Sequence, residues 1–572
     1  MLGRSARNTL GEWLDVWADE DPQGAAFTFL PDRGTPETWT WGELRAAVEW
    51  HARRLSERVG PGDRVLVIGP QRASYLVGLL AALRAGAAVI PASAPRSARN
   101  APRLAALLEA GRPRCAVGPA AVGARLAAIE GLALPEWYAC DPSAELHRGE
   151  PFPSREAASA PALVQFTSGS TGTPKGAVIP QRALLHNLQQ IYEAFEADRS
   201  TVLVGWCPLQ HDMGLIGQLL APIRGGFRSV VMSPESFVMR PGRWLRAISE
   251  YRGTVSGGPD MGYLRCVERV PDAELETLDL SCWKVAYSGA EPVRAETLER
   301  FAARFAPVGF DARSFFPCYG LAEATLLCTS APVGEPPLAR DFDPERLSTG
   351  DLVPVAEGEG TTLLSMGRPH SGQSVAIVDP VGRQRLPDGT IGEIWVRGPS
   401  VAEGYFERED PAFGAVLADE PGVWLRTGDL GAWTEEEGLF VTGRQKDLII
   451  VGGRNIYPQD VEALAESAHP SVEPAGVIAF GLESGGEERV VVVAELERGR
   501  YSSDQLDEVT RVIRSACSSR ESIALSDIVL IRRGGLPRTT SGKPRRSECR
   551  RLYISGGLGR VEPTLPNLEP IP

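Results

Sequence analysis

The stretch best equipped for chemistry is residues 163–180, LVQFTSGSTGTPKGAVIP, where a short apolar strand opens into a run of glycine, serine and threonine that ends at Lys175. Glycines at 169, 172 and 176 let the backbone come close to an oxyanion. The hydroxyls of Thr167, Ser168, Ser170, Thr171 and Thr173 add donors, and Lys175 adds a charge. The chemistry implied is phosphate binding. A P-loop of the G-x-x-x-x-G-K-[ST] type is excluded, because Pro174 precedes the lysine and Gly176 follows it. By itself a Gly/Ser/Thr run is more often a flexible loop; its place directly behind an apolar strand, with one lysine closing it, favours the anion site.

Such a loop must be carried by a scaffold, and the chain is long enough to build one. It has 572 residues, 43% of them apolar, with 60 Lys and Arg against 73 Asp and Glu, a formal charge of -13. That length allows several units, each with a sizeable core. The acidic balance argues against a nucleic-acid partner. The nine cysteines contain no C-x-x-C pair and only six histidines accompany them, so a disulfide framework or a zinc cage is not expected. The first residues mix Asp and Glu into their apolar positions, unlike a secretory signal, and the expected location is the cytoplasm. Residues 75–90, YLVGLLAALRAGAAVI, are interrupted by Arg84 and read as a buried helix running into a strand, with no membrane span.

Short β-rich runs at 64–69, 229–233, 283–289 and 393–398 alternate with helical patterns at 40–59 and 292–306, which implies parallel sheets built from crossover units. From about residue 361 to 442 short strands with glycine turns replace the helices. After Arg444 a strand, a glycine turn and an amphipathic helix begin a small α+β unit that alternates to about residue 551. The tail, rich in Gly and Pro, is expected to fray. The basic run RTTSGKPRRSECRR, at 538–551, reads locally as ordinary solvated surface.

The loop resembles the phosphate loop of the adenylate-forming superfamily, which includes acyl-CoA synthetases, luciferases, peptide-synthetase adenylation domains and fatty acyl-AMP ligases. Further matches follow in the family's order: CYGLAEATL (318–326), RTGDLG (426–431), GRQKDLIIVGGRNIYP (443–458) and LPRTTSGKPRR (536–546). The resemblance therefore runs from about residue 10 to 551. It implies an α/β fold of the acyl-CoA synthetase and luciferase type. A large N-terminal domain, residues 1–445, would hold two parallel-sheet subdomains and a β-rich one. A small mobile α+β domain would occupy 446–552, with a hinge at Lys446 and a tail from 553 to 572.

The same resemblance assigns roles. ATP and AMP would be bound by Thr167, Ser168, Gly169, Ser170, Thr171 and Gly172, by Gly289, Ala290 and Glu291 along the adenine, by Tyr319, Gly320 and Leu321, by Asp429 on the ribose and by Arg444. Glu323 would hold Mg2+, with Thr167 a second candidate, while Lys175 and Lys543 would act on the phosphates and the substrate carboxylate. Activating a carboxylate with ATP presses one anion onto another, so cations and amides matter more there than bases.

WCPLQHDMGLIGQLLAPI (206–223) resembles the acyl-pocket motif of fatty acyl-AMP ligases and gives Trp206, His211, Asp212, Met213, Gly214 and Ile216 as acyl-pocket candidates. Apart from His211 and Asp212 it is almost wholly apolar, which suits an alkyl chain. His211 reads either as a satisfied core histidine or as a group that orients the substrate carboxylate; Asp212 keeps an amino-acid substrate open. Residues 332–365 resemble the insertion that goes with transfer to the phosphopantetheine thiol of an acyl carrier protein rather than to CoA. That family's usual cysteine before GRP is Met366 here. No carrier sequence follows residue 551, so a carrier is expected to act in trans. An acyl-CoA synthetase is the alternative enzyme, and an inactive nucleotide-binding relative is disfavoured because the motif residues are all present.

Overall fold

The computed structural model describes residues 7–95, 101–142, 151–167, 174–418, 420–451, 454–484, 487–521, 523–539 and 544–563. Among them, two mainly parallel sheets form the body of the molecule. The six-stranded sheet runs, edge to edge, Glu136–Ala139, Cys115–Gly118, Arg64–Ile68, Ala88–Ala92, Pro161–Thr167 and Lys175–Pro180. Its last pair is antiparallel and in register at Thr167 and Lys175, so the two residues that flank the hydroxyl-rich run lie opposite each other at this sheet's edge.

The nine-stranded sheet runs Arg368–Pro369, Leu327–Ser330, Phe315–Gly320, Val285–Ser288, Val255–Gly258, Val202–Gly205, Arg228–Met232, Ala25–Leu30 and Glu37–Thr40. The strands from Phe315–Gly320 to Ala25–Leu30 are all parallel to their neighbours, and the outer pairs are antiparallel. Their carboxyl ends open on one side, where ligands bind in sheets of this kind.

Local chemistry explains the elements. The helix Trp41–Leu55 starts at Thr40, whose hydroxyl accepts the Glu43 N–H at 3.2 Å while Glu43 accepts the Thr40 N–H at 2.8 Å. That reciprocal cap satisfies two otherwise orphan donors. The helix Ala73–Arg84 is buried along its whole length, and the charge that interrupts its apolar sequence is neutralised in place. Arg84 reaches Asp15 at 2.9 Å, Glu49 at 3.2 Å and the Phe152 carbonyl at 2.7 Å. A buried arginine needs such partners.

A four-stranded antiparallel sheet follows, Ser374–Val378, Gly392–Arg397, Leu425–Thr434 and Gly438–Arg444. Residues 339–364 fold as a hairpin, Ala339–Phe342 with Thr361–Leu364, around the helix Pro344–Thr349. Phe342, Leu347 and Leu352 pack on Ala432 and Phe440 of that sheet. The C-terminal unit carries the strands Val472–Ser484, Glu487–Leu496 and Leu525–Arg532, with the helices Pro458–Ser467, Ser503–Glu521 and Arg546–Ile554.

The apolar core is divided. One cluster unites residues from Leu10 to Leu439, and the C-terminal clusters unite residues from Ile449 onward. Across the boundary run ion pairs, Arg269 to Glu473 at 3.4 Å and Arg294 to Glu466 at 3.5 Å.

Two expectations need correction. The tail does not fray from its start: Val561 N–H donates to the Leu530 carbonyl at 2.9 Å, and Arg560 bridges Ile531. The strand Leu525–Arg532 has an edge to offer, and backbone pairing there outweighs the Gly and Pro content. The basic run is not all solvated surface either. Arg546 is largely buried between Glu462, at 2.6 Å, and Asp447, at 3.5 Å. Among the described residues no helix is long and apolar enough to cross a membrane.

Candidate active site

A cleft of about 3560 Å³ lies between the sheet ends and the C-terminal unit. Lys175, Trp206, Tyr319, Glu323, Asp429 and Arg444 all line it, as do Arg538 and Arg545 from the C-terminal unit. Ser168, Gly169, Ser170, Thr171, Gly172 and Lys543 lie outside the described residues. The stems of their loops are described. Thr167 is placed by its backbone register with Lys175, and Arg538 bridges Pro544, the two lining the cleft on either side of the stretch that contains Lys543.

Asp429 is the centre of the polar half. It lies on the strand Leu425–Thr434 directly across from Arg444, whose Nε is 2.7 Å from Oδ1. The Tyr319 hydroxyl donates to Oδ2 at 2.8 Å. Burial, and then the Asp429 charge, push the Tyr319 phenol far up, while Asp429 holds the Arg444 guanidinium firmly charged. Lys446, on the cleft wall, is pushed the other way by burial and by Arg444 beside it.

Glu323 occupies the short 3-10 turn Ala322–Ala324 at the end of the strand Phe315–Gly320. Its Oε1 accepts the Tyr405 hydroxyl at 2.7 Å. The next turn is unusual: Thr325 has φ +71° and ψ −68°, and Leu326 N–H closes on the Ala324 carbonyl at 3.0 Å. This is a γ-turn with positive φ at its centre, the rarer and more strained form. Thr325 is fully buried and donates to the Ser400 carbonyl at 2.6 Å.

Lys175 pairs with Asp410, Nζ to Oδ2 at 2.8 Å. Burial pushes Asp410 up, but the hydrogen bond from Lys175, the Ala412 N–H and nearby charges outweigh it, and its carboxyl lies below the ordinary carboxylate value.

Gly289, Ala290 and Glu291 follow the strand Val285–Ser288. A side chain at Gly289 would strike the Cys318 carbonyl at 2.6 Å, and Ala290 has φ +67°. Glu291 accepts the Met261 N–H at 2.8 Å, while Asp260 accepts the Arg294 N–H at 3.1 Å and the Thr297 hydroxyl at 2.9 Å. The two exchanges pin this turn to the helix Asp260–Arg269. Ala290 and Glu291 line the cleft; Gly289 packs behind it.

The apolar half begins at Trp206. Its ring stacks on Phe237 with centroids 3.8 Å apart, and Gly258 and Gly262 leave room for it, since a Cβ at either would sit 2.6 and 2.7 Å from the ring. The motif read from sequence as an apolar stretch is an eight-residue π-helix, Met213–Leu220, every residue of it buried. Such wide turns are rare and are found mostly at functional sites. Gln218 explains part of its stability: it accepts the Cys207 N–H at 2.9 Å and donates to the Tyr287 hydroxyl at 2.6 Å.

His211, Asp212 and Met213 line the cleft with Trp206 and Gly217. Gly214 and Ile216, expected in the same wall, are packed behind it: Gly214 lies against the Pro208 carbonyl and Ile216 is wholly buried in the core. His211 Nδ1 is 2.5 Å from Asp212 Oδ1, and Asp212 also accepts the Met213 N–H at 2.7 Å.

Sequence reasoning missed Tyr405, Asp410, Thr325 and Gln218. The first two sit in AEGYFERED, whose only outward sign is a glycine before an aromatic residue. Among the described residues no cluster of three or more acidic, His or Cys groups could cage a metal. Glu323 alone still fits Mg2+, which is commonly held by one or two carboxylates together with phosphate oxygens and waters.

Comparison with known proteins agrees with this arrangement. Residues 14–406 match the AMP-binding enzyme family, and residues 446–562 match the Disco-interacting protein 2-like AMP domain. The chain is 37% identical to the long-chain-fatty-acid–AMP ligase FadD23 of Mycobacterium tuberculosis, over 95% of this chain and 96% of that one. It is 37% identical to the medium-chain-fatty-acid–[acyl-carrier-protein] ligase JamA of Moorena producens, over 97% and 96%. A solved fatty acyl-adenylate ligase from L. pneumophila, in complex with acyl adenylate and pyrophosphate, superposes with a TM-score of 0.74 at 33% identity, over 96% of both chains. The chain belongs to the AMP-binding, adenylate-forming enzymes, in their fatty acyl-AMP ligase family.

Proposed function

We propose that the protein condenses a fatty acid with ATP to an acyl-adenylate, releasing pyrophosphate, and then passes the acyl group to the phosphopantetheine thiol of an acyl carrier protein. The observation that carries this reading is the continuity of one cleft, polar around Asp429, Glu323 and Lys175 and apolar around Trp206 and Met213. The adenine lies along Ala290 and Glu291, with Gly289 supporting them from behind, beside Tyr319 with Gly320 and Leu321 at its edge, and Asp429 takes the ribose hydroxyls. Arg444, already paired with Asp429, presents its remaining N–H donors to the ribose or the phosphates.

The hydroxyls and amides of residues 167–172, with Lys175, surround the phosphates, and Lys543 lies between the α-phosphate and the acid. Glu323 holds Mg2+, which would offset charge on the phosphate oxygens. Thr167 is the second candidate ligand for it. The fatty acyl chain runs past Trp206 toward Met213, and each buried methylene is worth about 0.8 kcal/mol. Trp206 and Met213 line that half of the cleft beside Asp212, and this apolar lining supports a substrate without an ammonium group. His211 would orient the carboxylate.

The N-terminal domain ends near residue 445, and Lys446 is the hinge of the C-terminal one. The carrier, rather than CoA, is the proposed acceptor, since JamA carries that acceptor in its name and the hairpin and helix of residues 332–365 touch the C-terminal unit, Arg454 Nε lying 3.4 Å from Ser348 Oγ. The test is ATP–pyrophosphate exchange with panels of fatty acids and amino acids. Exchange driven by fatty acids is expected; exchange driven by an amino acid alone would refute the reading.

A further inference from the structure

Residues 400–410 touch both Lys175, which the proposed function aims at phosphate, and Glu323, which it gives to Mg2+, and no role read from sequence uses them. On one side they hold the Glu323 turn at three points. Thr325 Oγ1 donates to the Ser400 carbonyl at 2.6 Å, Ala402 N–H to the Glu323 carbonyl at 2.9 Å and Tyr405 Oη to Glu323 Oε1 at 2.7 Å. The strained γ-turn at Thr325 is kept by these bonds, as strain at functional sites must be. On the other side the same residues are joined to the strand Lys175–Pro180. Glu403 N–H donates to the Val178 carbonyl at 2.9 Å, Val178 N–H to the Gly404 carbonyl at 2.9 Å and Phe406 N–H to the Gly176 carbonyl at 2.7 Å. This brings Asp410 to 2.8 Å from the Lys175 ammonium, which also lies 5.0 Å from the Tyr405 ring.

We propose that Asp410 is a stand-in anion: its carboxylate holds the Lys175 ammonium at the phosphate site until a substrate phosphate takes its place, while Tyr405 on the same segment fixes Glu323. Both are positioning residues. Asp410 is suited to the task because its other oxygen accepts the Ala412 N–H at 3.1 Å, which keeps the carboxylate on its own loop. A flexible lysine is held near its working place, and Glu323 keeps Oε2 without a hydrogen-bond partner among the described residues. The arrangement has a thermodynamic consequence. An arriving phosphate must displace a carboxylate that then stays nearby with like charge, so the pair lowers affinity for ATP and for pyrophosphate alike. A residue that merely supported the fold could only help binding.

The inference rests on the reading of Lys175 as a phosphate contact, and the experiment separates the two. Binding of inorganic pyrophosphate and of a non-hydrolysable ATP analogue to the full chain is measured by calorimetry for the wild type, Asp410→Asn, Lys175→Met and Tyr405→Phe. Asparagine keeps an acceptor for the Ala412 N–H and puts an uncharged amide nitrogen in place of the carboxylate oxygen that faces Lys175. Asp410→Asn is expected to bind both ligands about fivefold to tenfold more tightly. Lys175→Met should bind both more weakly. Tyr405→Phe should leave metal-free pyrophosphate binding unchanged and weaken Mn2+ binding to the analogue complex, read by electron paramagnetic resonance. Unchanged or weaker binding by Asp410→Asn, with Lys175→Met weakened, overturns the stand-in role. No effect of Lys175→Met overturns the phosphate reading instead. Unchanged Mn2+ binding overturns the part given to Tyr405. Thermal midpoints check folding, and should Asp410→Asn fail to fold, Asp410→Ser must show the same tightening.

Discussion

Arg444 and Asp429 face each other across neighbouring strands, Nε 2.7 Å from Oδ1, and Tyr319 holds the other carboxylate oxygen at 2.8 Å. One buried carboxylate thus joins an aromatic residue at the end of the nine-stranded sheet to the strand that leads into the C-terminal unit. A ribose that takes this carboxylate must compete with Tyr319. Asp429→Asn is expected to weaken an ATP analogue by about tenfold or more while leaving its 2′,3′-dideoxy form almost unaffected. Calorimetry with the two nucleotides checks it, and equal losses for both would place Asp429 away from the ribose.

Arg538 and Pro544, which flank the stretch that contains Lys543, line the cleft. Lys543→Ala is expected to lower acyl-AMP formation by roughly a hundredfold or more, the scale of losing one charge aimed at the reacting phosphate, and to spare transfer from preformed acyl-AMP. Single-turnover assays of the two half-reactions read this out. Equal losses would contradict the assigned role.

The boundary between the units is crossed by Arg269–Glu473 and Arg294–Glu466. Each pair joins a partly exposed arginine to a largely buried carboxylate, and its exposed side is open to screening by salt, which suits the hinge proposed at Lys446. Arg269→Ala combined with Arg294→Ala should speed proteolytic cleavage near Lys446 about threefold, with little change in the thermal midpoint of either unit. Added salt should have the same effect on the wild type.

Asp260 gives a pH dependence. Burial, and then Glu291, raise its carboxyl from 3.8 to about 7, against the lowering effects of Arg294 and Thr297. Between those values the folded protein keeps a proton that the unfolded chain has released, so this group's contribution to stability declines as pH rises from about 4 to about 7 and is level above that. Asp260→Asn should therefore match the wild type near pH 4 and gain on it steadily up to about pH 7. Thermal midpoints across that range check the sign.

Gln218 is the polar anchor of the π-helix. Gln218→Leu strands the Cys207 N–H and the Tyr287 hydroxyl, and should cost about 2 kcal/mol or more in urea unfolding. Turnover of long fatty acids should fall more than binding of the ATP analogue, because Gln218 supports the apolar half alone.

The parallel sheets, the helix after Thr40 and the β-rich stretch before Arg444 were legible because each shows in local periodicity. Asp429, Glu323 and Arg444 were legible through motifs whose order is kept along the chain. Tyr405 and Asp410 were not, since their meaning comes from strand pairing across more than two hundred residues, to Lys175 and its strand. The π-helix was hidden for another reason. Its residues are held by contacts away from the helix, Gln218 to the Cys207 N–H and Gly214 against the Pro208 carbonyl, which residue spacing does not show. Gly214 and Ile216 lie behind the cleft wall, against the Pro208 carbonyl and in the core, which residue spacing does not show either.

The most direct measurement is mass spectrometry of one incubation. The purified chain is mixed with ATP, Mg2+ and a fatty acid, then divided between a holo acyl carrier protein and CoA. The account predicts acyl-adenylate before the division and acylated carrier, with little acyl-CoA, after it. No acyl-adenylate from any fatty acid would contradict the central claim, and efficient acyl-CoA formation would contradict the acceptor.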